Sequence, residues 1–274
     1  MPRPLHELLT AHRLTPAQRR IASYLADRPA EAAALTSAEL ADRAQVSQPS
    51  VTRFVALLGF DGYAEFRRYL RTAMAEPEAE REGNKFQAAI DADLRNIAAL
   101  RAELADDGRL RGVAERLMAS SPLVVAGYRV SAAQAASFAY LATKIHPDVR
   151  LLTDSGSIFG DGLRHARRCG ARTLVLFALP RYPRESAAAL DQARALGLHT
   201  LLITDRLVSA LTPLADDVLS AGVASEFVFD SHAAVVSLSV ALLEAMADAA
   251  GASARQRLEG FEDYAAEHDL FLRE

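Results

Sequence analysis

From residue 15 to residue 120, apolar side chains recur at three- and four-residue steps. Beyond residue 121 they gather into short continuous runs. The first regime predicts helices, and the second predicts buried strands alternating with helices. Thr15-Pro16-Ala17-Gln18 reads as a helix start, with Thr as the cap, Pro at the first helical position and Gln closing a capping box. Ile21, Ala22 and Leu25 are its inner stripe, and Arg28-Pro29 ends it. Thr36 and Glu39 form a second capping box, followed by Leu40, Ala41 and Ala44 at helical spacing. Ala44-Gln45-Val46 supplies a turn, Ser47 is placed to cap the next helix, and Pro49 falls in its first turn. Gly59 reads as a C-cap, and Phe60, Tyr63, Phe66, Tyr69 and Leu70 then give an aromatic face suited to a core.

The helix opened by Ser47 has two unlike sides. Val51, Phe54, Val55 and Leu58 line its back, while Gln48, Ser50, Thr52 and Arg53 lie on or near its front. A DNA major groove accepts such a front. Gln pairs with adenine, Arg with guanine, and Ser or Thr with bases or phosphates. The alternative for the same pattern is an ordinary amphipathic helix pair.

Residues 75–85 are charged and contain Pro77 and Gly83, so they read as an interdomain linker, followed by helices over 86–104 and 109–119. The β-type runs fall at 123–126, 149–152, 173–177 and 200–203, with a weaker fifth at 217–219. Helical patterns separate them at 132–145, 160–169, 184–196 and 207–215, and two more close the chain at 230–249 and 254–268. Strand–helix alternation with continuously apolar strands predicts a five-stranded parallel sheet covered on both faces.

Composition narrows the function. Half of the 274 residues are apolar, as in a globular protein. The first ten residues hold no apolar run of the kind a secretory signal carries, and the apolar stretch 233–243 stops at Glu244, short of a bilayer's width. A single cysteine, Cys169, excludes an internal disulfide framework and a multi-cysteine metal site, and is expected to be inert. These features together point to a cytoplasmic protein with no membrane partner. The net charge of −4 is uneven: residues 1–75 carry 10 Arg against 7 acidic groups, giving +3, and the remainder carries 21 basic against 28 acidic, giving −7. A modestly basic module on an acidic body suits DNA binding. Lys85 and Lys144 are the only lysines, so a lone Arg carries little information.

The runs LTPAQRRIASYL and LADRAQVSQPSVTRFVALLGFDGYAEFRRYL resemble the RpiR/MurR type of bacterial transcription regulator, which joins a helix-turn-helix domain to a sugar-isomerase (SIS) domain. The resemblance rests on Val46, Ser47, Ser50, Val51, Arg53, Phe54, Leu58, Gly59, Phe60, Gly62 and Tyr63. Gln45 stands where this family commonly has a small residue, usually Gly. The resemblance implies an α-helical helix-turn-helix domain over 1–76, a linker and connecting helix over 77–106, an α/β SIS-like domain of Rossmann-type layering over 107–250, and a C-terminal helix over 251–274. It also implies Ser47, Gln48, Ser50, Thr52 and Arg53 as DNA-facing residues.

SIS domains carry G-x-G-x-S after their first strand and S-x-S-G-x-T after a later one, where hydroxyls and helix N-terminal amides hold a sugar phosphate. Here the first segment reads Gly127-Tyr128-Arg129-Val130-Ser131, with Arg129 in a glycine slot. The second reads Ala178-Leu179-Pro180-Arg181-Tyr182-Pro183 and has lost both serines, the glycine and the threonine. One reading has Arg129 and Arg181 gripping a phosphate or carboxylate, with Tyr128 and Tyr182 adding hydrogen bonds and walls. The other has a decayed pocket in a domain that only oligomerises. Ser231 and His232 lie near a third edge of such a pocket, where Ser231 or Asp230 alternatively caps a helix. His146, His165 and His199 read as packing or surface residues, and no metal-ligand spacing or catalytic constellation occurs. The expected protein is therefore a non-enzymatic regulator without a cofactor, a homodimer or homotetramer that binds double-stranded operator DNA and a small anionic effector. A SIS-type isomerase is the alternative.

Overall fold

The computed structural model describes residues 8, 14–74, 83–225 and 227–272. Most of the expected linker (75–82), the first seven residues and Glu226 lie outside the described residues. The chain divides into two compact units, Met1–Asn84 with Leu207–Ala210, and Lys85–Arg206 with Leu211–Glu274.

The first unit contains α1 (Pro16–Asp27), α2 (Pro29–Ala34), α3 (Ser37–Arg43), α4 (Gln48–Leu57) and α5 (Tyr63–Met74). Both expected capping boxes form, at Thr15/Gln18 and at Thr36/Glu39. Ile21, Leu25, Leu40, Val51, Phe54, Phe66 and Leu70 are fully or almost fully buried and make its core. Phe60, Phe66 and Tyr69 pack ring against ring, so the aromatic face is core. The short α2 was not expected between α1 and α3; its sequence, PAEAAA, offers no apolar–polar contrast to give it away.

The second unit contains α6 (Lys85–Glu103), α7 (Gly108–Met118), β1 (Leu123–Gly127), α8 (Val130–Ala142), β2 (Val149–Leu152), α9 (Gly156–Arg168), β3 (Thr173–Ala178), α10 (Arg184–Ala195), β4 (His199–Thr204), β5 (Asp217–Ser220), α11 (Ala233–Ala250) and α12 (Ala252–Glu267). The five strands form one all-parallel sheet in the order β2-β1-β3-β4-β5. Every residue of β1 and of β3 is buried, as expected of strands covered on both faces. β1 lies beside both β2 and β3, so the winding reverses between β1 and β3.

Two expectations are corrected. Residues 207–215 do not form a helix; only a one-turn 3-10 segment, Thr212–Leu214, is present, with Pro213 in its first turn. Leu207, Leu211 and Leu214 imitate helical spacing, but a proline at that point removes a donor and blocks the preceding turn. The apolar stretch beginning at Ala233 is longer than expected: the helix expected over 230–249 is α11, and despite Glu244 its 18 residues are long and apolar enough to cross a bilayer. Its Val235, Leu238, Leu242 and Met246 are nevertheless buried in the domain core with Leu117, Phe138 and Ile203.

His146 ends the turn after α8 and is 2 % exposed. Its Nδ1 accepts the Asp148 backbone N–H at 3.2 Å, while Nε2 finds no hydrogen-bond partner among the described residues. Burial above all pulls its imidazole pKa below the ordinary value, outweighing the Asp148 charge that favours the cation. A histidine lowered in the folded state binds its proton more readily when unfolded, so the contribution is present above the unfolded pKa of about 6.5 and is lost as pH falls through it. The urea midpoint should therefore drop between pH 7.5 and pH 5.5, and it should drop less in His146→Asn. Equal drops in the two proteins would show that His146 is not responsible.

Candidate functional site

The turn between α3 and α4 is built by backbone alone. Val46 N–H donates to the Ala41 carbonyl at 2.9 Å and Gln45 N–H donates to the Asp42 carbonyl at 3.1 Å. This is a Schellman closure, with Gln45 left-handed at φ 53°. The α4 end closes the same way around Gly59, at φ 89°, where glycine meets no steric penalty. Glu39 accepts the Thr36 backbone N–H at 2.7 Å, and that hydrogen bond holds its carboxyl below the usual range.

Val51, Phe54 and Val55 face inward on α4, and Ser47, Gln48, Thr52 and Arg53 face solvent, with Ser50 half-buried. Ser47 occupies the N-cap position with extended backbone but makes no side-chain cap bond; its hydroxyl pairs with Ser50 Oγ at 2.9 Å. Gln48 Nε2 donates to Ser37 Oγ at 3.1 Å, which ties the front of α4 to the first turn of α3. Ser37 was not singled out in the sequence, although its place directly after the Thr36 cap puts it on that surface.

The second group of candidates lies at the carboxyl ends of the strands, where open α/β sheets hold ligands at the point of reversal. Gly127 ends β1. A Cβ there would lie 2.5 Å from the Ser131 carbonyl oxygen and 2.9 Å from Ala135 Cβ, so α8 can approach only a glycine. Arg129 follows at φ 53°, ψ −126° with its side chain exposed. Ser131 is 1 % exposed, and its Oγ accepts the Leu179 N–H at 3.0 Å, joining the loop after β1 to the loop after β3. Arg181 is exposed on that second loop. Tyr182 donates its hydroxyl to Asp205 Oδ1 at 2.5 Å, and Arg206 Nε donates to Asp205 Oδ2 at 2.7 Å. Burial raises the Asp205 carboxyl above its usual range, against hydrogen bonds from Tyr182 and Thr204 that lower it.

Ser231 and His232 belong to a different hydrogen-bonded group. Neither Ser231 nor Asp230 caps α11: His232 stands at the cap position and no side chain bonds the first turn. Ser231 Oγ instead donates to Asp93 Oδ2 of α6 at 2.7 Å, and His232 Nδ1 lies 3.3 Å from Gln134 Nε2 of α8. Asp93 Oδ1 and His232 Nε2 are buried and find no hydrogen-bond partner among the described residues. Asp93, Gln134 and Asp205 were not foreseen. Asp205 was within reach, since it directly follows a strand's carboxyl end; Asp93 meets a partner 138 positions away, which no local pattern reveals. Among the described residues no cluster of His, Cys, Asp and Glu could hold a metal ion.

Residues 9–77 match the family model described as a helix-turn-helix domain of the rpiR family. The N-terminal domain belongs to that family. No curated protein matches the chain. Among solved structures, the sugar isomerase domain of an RpiR transcription factor from Sphaerobacter thermophilus aligns at TM-score 0.58 and 22% identity, covering 64% of this chain and 97% of that one. The Vibrio vulnificus NanR protein, solved complexed with ManNAc-6P, aligns at TM-score 0.59 and 16% identity, covering 98% of this chain and 100% of that one. At such identities the likeness is one of fold. The rpiR-type head is thus followed by a domain of SIS fold, whose five-stranded all-parallel sheet is the one expected.

Arg129 sits where only glycine is comfortable. A non-glycine residue in such a region costs about 1–3 kcal/mol, and glycine's extra freedom in the unfolded chain offsets about 0.4–1 kcal/mol of any relief. Arg129→Gly should therefore raise unfolding stability by roughly 1 kcal/mol, or about 2–4 °C in Tm for a domain this size, read by urea and thermal melts. A lowered Tm would show that the arginine side chain stabilises the fold by more than its backbone costs.

Proposed function

We propose that this chain is a ligand-responsive DNA-binding transcription regulator. The observation that carries the reading is the two-sidedness of α4: its back is sealed in the core, and Ser47, Gln48, Thr52 and Arg53 are exposed beside a half-buried Ser50. Such a helix enters a major groove with its N-terminal residues at base edges. Two copies one helical turn apart read a palindromic operator, so the working form is a homodimer or homotetramer. Exposed apolar residues at helical spacing, Phe86, Ile90 and Leu94 on α6 and Val236 and Val240 on α11, support self-association.

The SIS-type domain binds a small anionic metabolite in the crevice after β1 and β3. Arg129 and Arg181 grip the anion, Tyr128 and Tyr182 wall it, Gly127 and Ser131 fix the turn beneath it, and Ser231 and His232 border its far edge. Supporting this, the similar NanR protein was solved with ManNAc-6P. The ligand acts by binding one arrangement of the paired domains better than another, which shifts the population of DNA-competent heads. The chain performs no catalysis and works in the cytoplasm.

In gel-shift titrations against the DNA upstream of its own gene at fixed salt, Arg53→Ala should weaken binding by roughly 1–3 kcal/mol if Arg53 pairs with a base. A loss uniform across unrelated sequences would make it a phosphate contact. Unchanged affinity would remove α4 from the interface. In the same titrations, N-acetylmannosamine 6-phosphate and other sugar phosphates test the effector role: one that shifts the Tm of the wild type but not of Arg129→Ala or Arg181→Ala should also shift operator affinity. Ligand binding that leaves DNA affinity unchanged would refute the coupling.

A further inference from the structure

The first turn of α3 is complete without the Ser37 side chain. Thr36 and Glu39 close the capping box there, and the Glu39 carboxylate accepts both the Thr36 backbone N–H at 2.7 Å and the Thr36 hydroxyl at 2.8 Å. The partly exposed Ser37 hydroxyl is left to accept a hydrogen bond from Gln48 Nε2 at 3.1 Å, 11 residues along the chain. The backbone closure between the helices, Val46 N–H to the Ala41 carbonyl and Gln45 N–H to the Asp42 carbonyl, fixes how α4 starts relative to α3. Ser37 is therefore a fixed acceptor beside the front of α4.

Among the described residues, Gln48 is the one DNA-facing candidate whose side chain bonds to another helix. Ser47 and Ser50 pair with each other at 2.9 Å, and Thr52 Oγ1 donates to the Gln48 carbonyl at 3.4 Å, so these three hydroxyls bond locally. An untethered, exposed glutamine turns about its side-chain bonds and flips its amide end for end, and ordering it on DNA costs conformational entropy. The amide carries two N–H groups and a carbonyl oxygen. With one N–H held by Ser37, the second N–H and Oε1 remain. Those are the two groups that pair with N7 and the N6 amine of adenine in the major groove.

We propose that Ser37 is a positioning residue for base readout: by holding the Gln48 amide before DNA arrives, it sets the preference of α4 for adenine at the base pair that Gln48 reaches. The proposal rests on the DNA-reading role given to α4 above, and it names the base and the residue that prepares its reader. Preorganisation of this kind strengthens binding by removing an ordering cost and adds no contact of its own. A base pair that Gln48 does not engage gains nothing from the tether. Ser37 therefore changes which sequence is chosen, whereas a phosphate contact would change the affinity for all sequences alike.

In-vitro selection by the full chain from a pool of randomised duplexes tests this, followed by anisotropy titrations on the selected duplex and its single-base variants at fixed salt. Wild type should prefer adenine about thirtyfold at the position where Gln48→Ala abolishes the preference. Ser37→Ala should reduce that preference about three- to tenfold, leave the other positions and the Tm unchanged, and add nothing in the Gln48→Ala background. Ser37→Thr, which keeps the hydroxyl, should restore it. A Ser37→Ala loss shared by every duplex, a loss that persists without Gln48, a marked fall in Tm or an unchanged adenine preference would each overturn the positioning role while leaving α4 as the reading helix. If Gln48→Ala keeps every wild-type preference, or removes one for another base, the assignment of Gln48 to adenine falls with it. Failure of wild type to enrich any sequence would overturn the DNA-reading role of α4 itself.

Discussion

The close approach of α8 to the end of β1 is the contact on which the C-terminal domain's chemistry depends. With no Cβ at Gly127, the first turn of α8 sits directly against the strand, and Ser131 is carried far enough in to accept the Leu179 N–H. That one hydrogen bond fixes the spacing of the loops after β1 and β3, the two strands between which the sheet changes direction. A larger residue at Gly127 would force the helix away and separate the loops that carry Arg129 and Arg181. In the helix-turn-helix domain the corresponding constraint is the backbone closure between α3 and α4, which keeps Val51 and Phe54 in the core and the polar side of α4 outside.

Much of the fold was legible because it is written in local signals. Capping boxes, a glycine C-cap, a polar-fronted helix and five β-rich runs each depend on residues within a few positions of one another. Where several residue types could satisfy the local rule, the sequence fell short. The alanine-rich α2 is too short to show a stripe, and residues 207–215 imitate a helix that Pro213 prevents. The site was less legible than the fold. The loops after β1 and β3 could be placed, because strand ends are local features. The duties of Ser131, Ser231 and Tyr182 could not, because their partners are Leu179, Asp93 and Asp205 on other elements. Ser131 in particular persists from the family pattern, yet here its hydroxyl accepts a backbone bond inside the protein.

The loops that in SIS domains present small hydroxyls here present arginines and tyrosines. The change exchanges neutral donors close to the backbone for charges on long side chains, and it brings backbone strain at Arg129, where the chain keeps a bulky residue in a glycine conformation. Strain of this kind persists only where the surroundings hold it in place, and it gathers at ligand sites and switch regions. A carboxylate stands in the same region: Asp205, its side chain buried and tied to Tyr182 and Arg206. The chemistry on offer is therefore of both signs.

The corner where α6 meets the start of α11 combines one strong link with two unmet ones. Ser231 and Asp93 are joined at 2.7 Å, while the second Asp93 oxygen and His232 Nε2 are buried with no hydrogen-bond partner among the described residues. Each buried group left unpaired carries a desolvation cost of about 1–3 kcal/mol, which is recovered as soon as the corner opens to solvent. Brief excursions there consequently demand less free energy than unfolding the sheet, so the amides near Ser231 are expected to exchange with deuterated water ahead of those in β1 and β3.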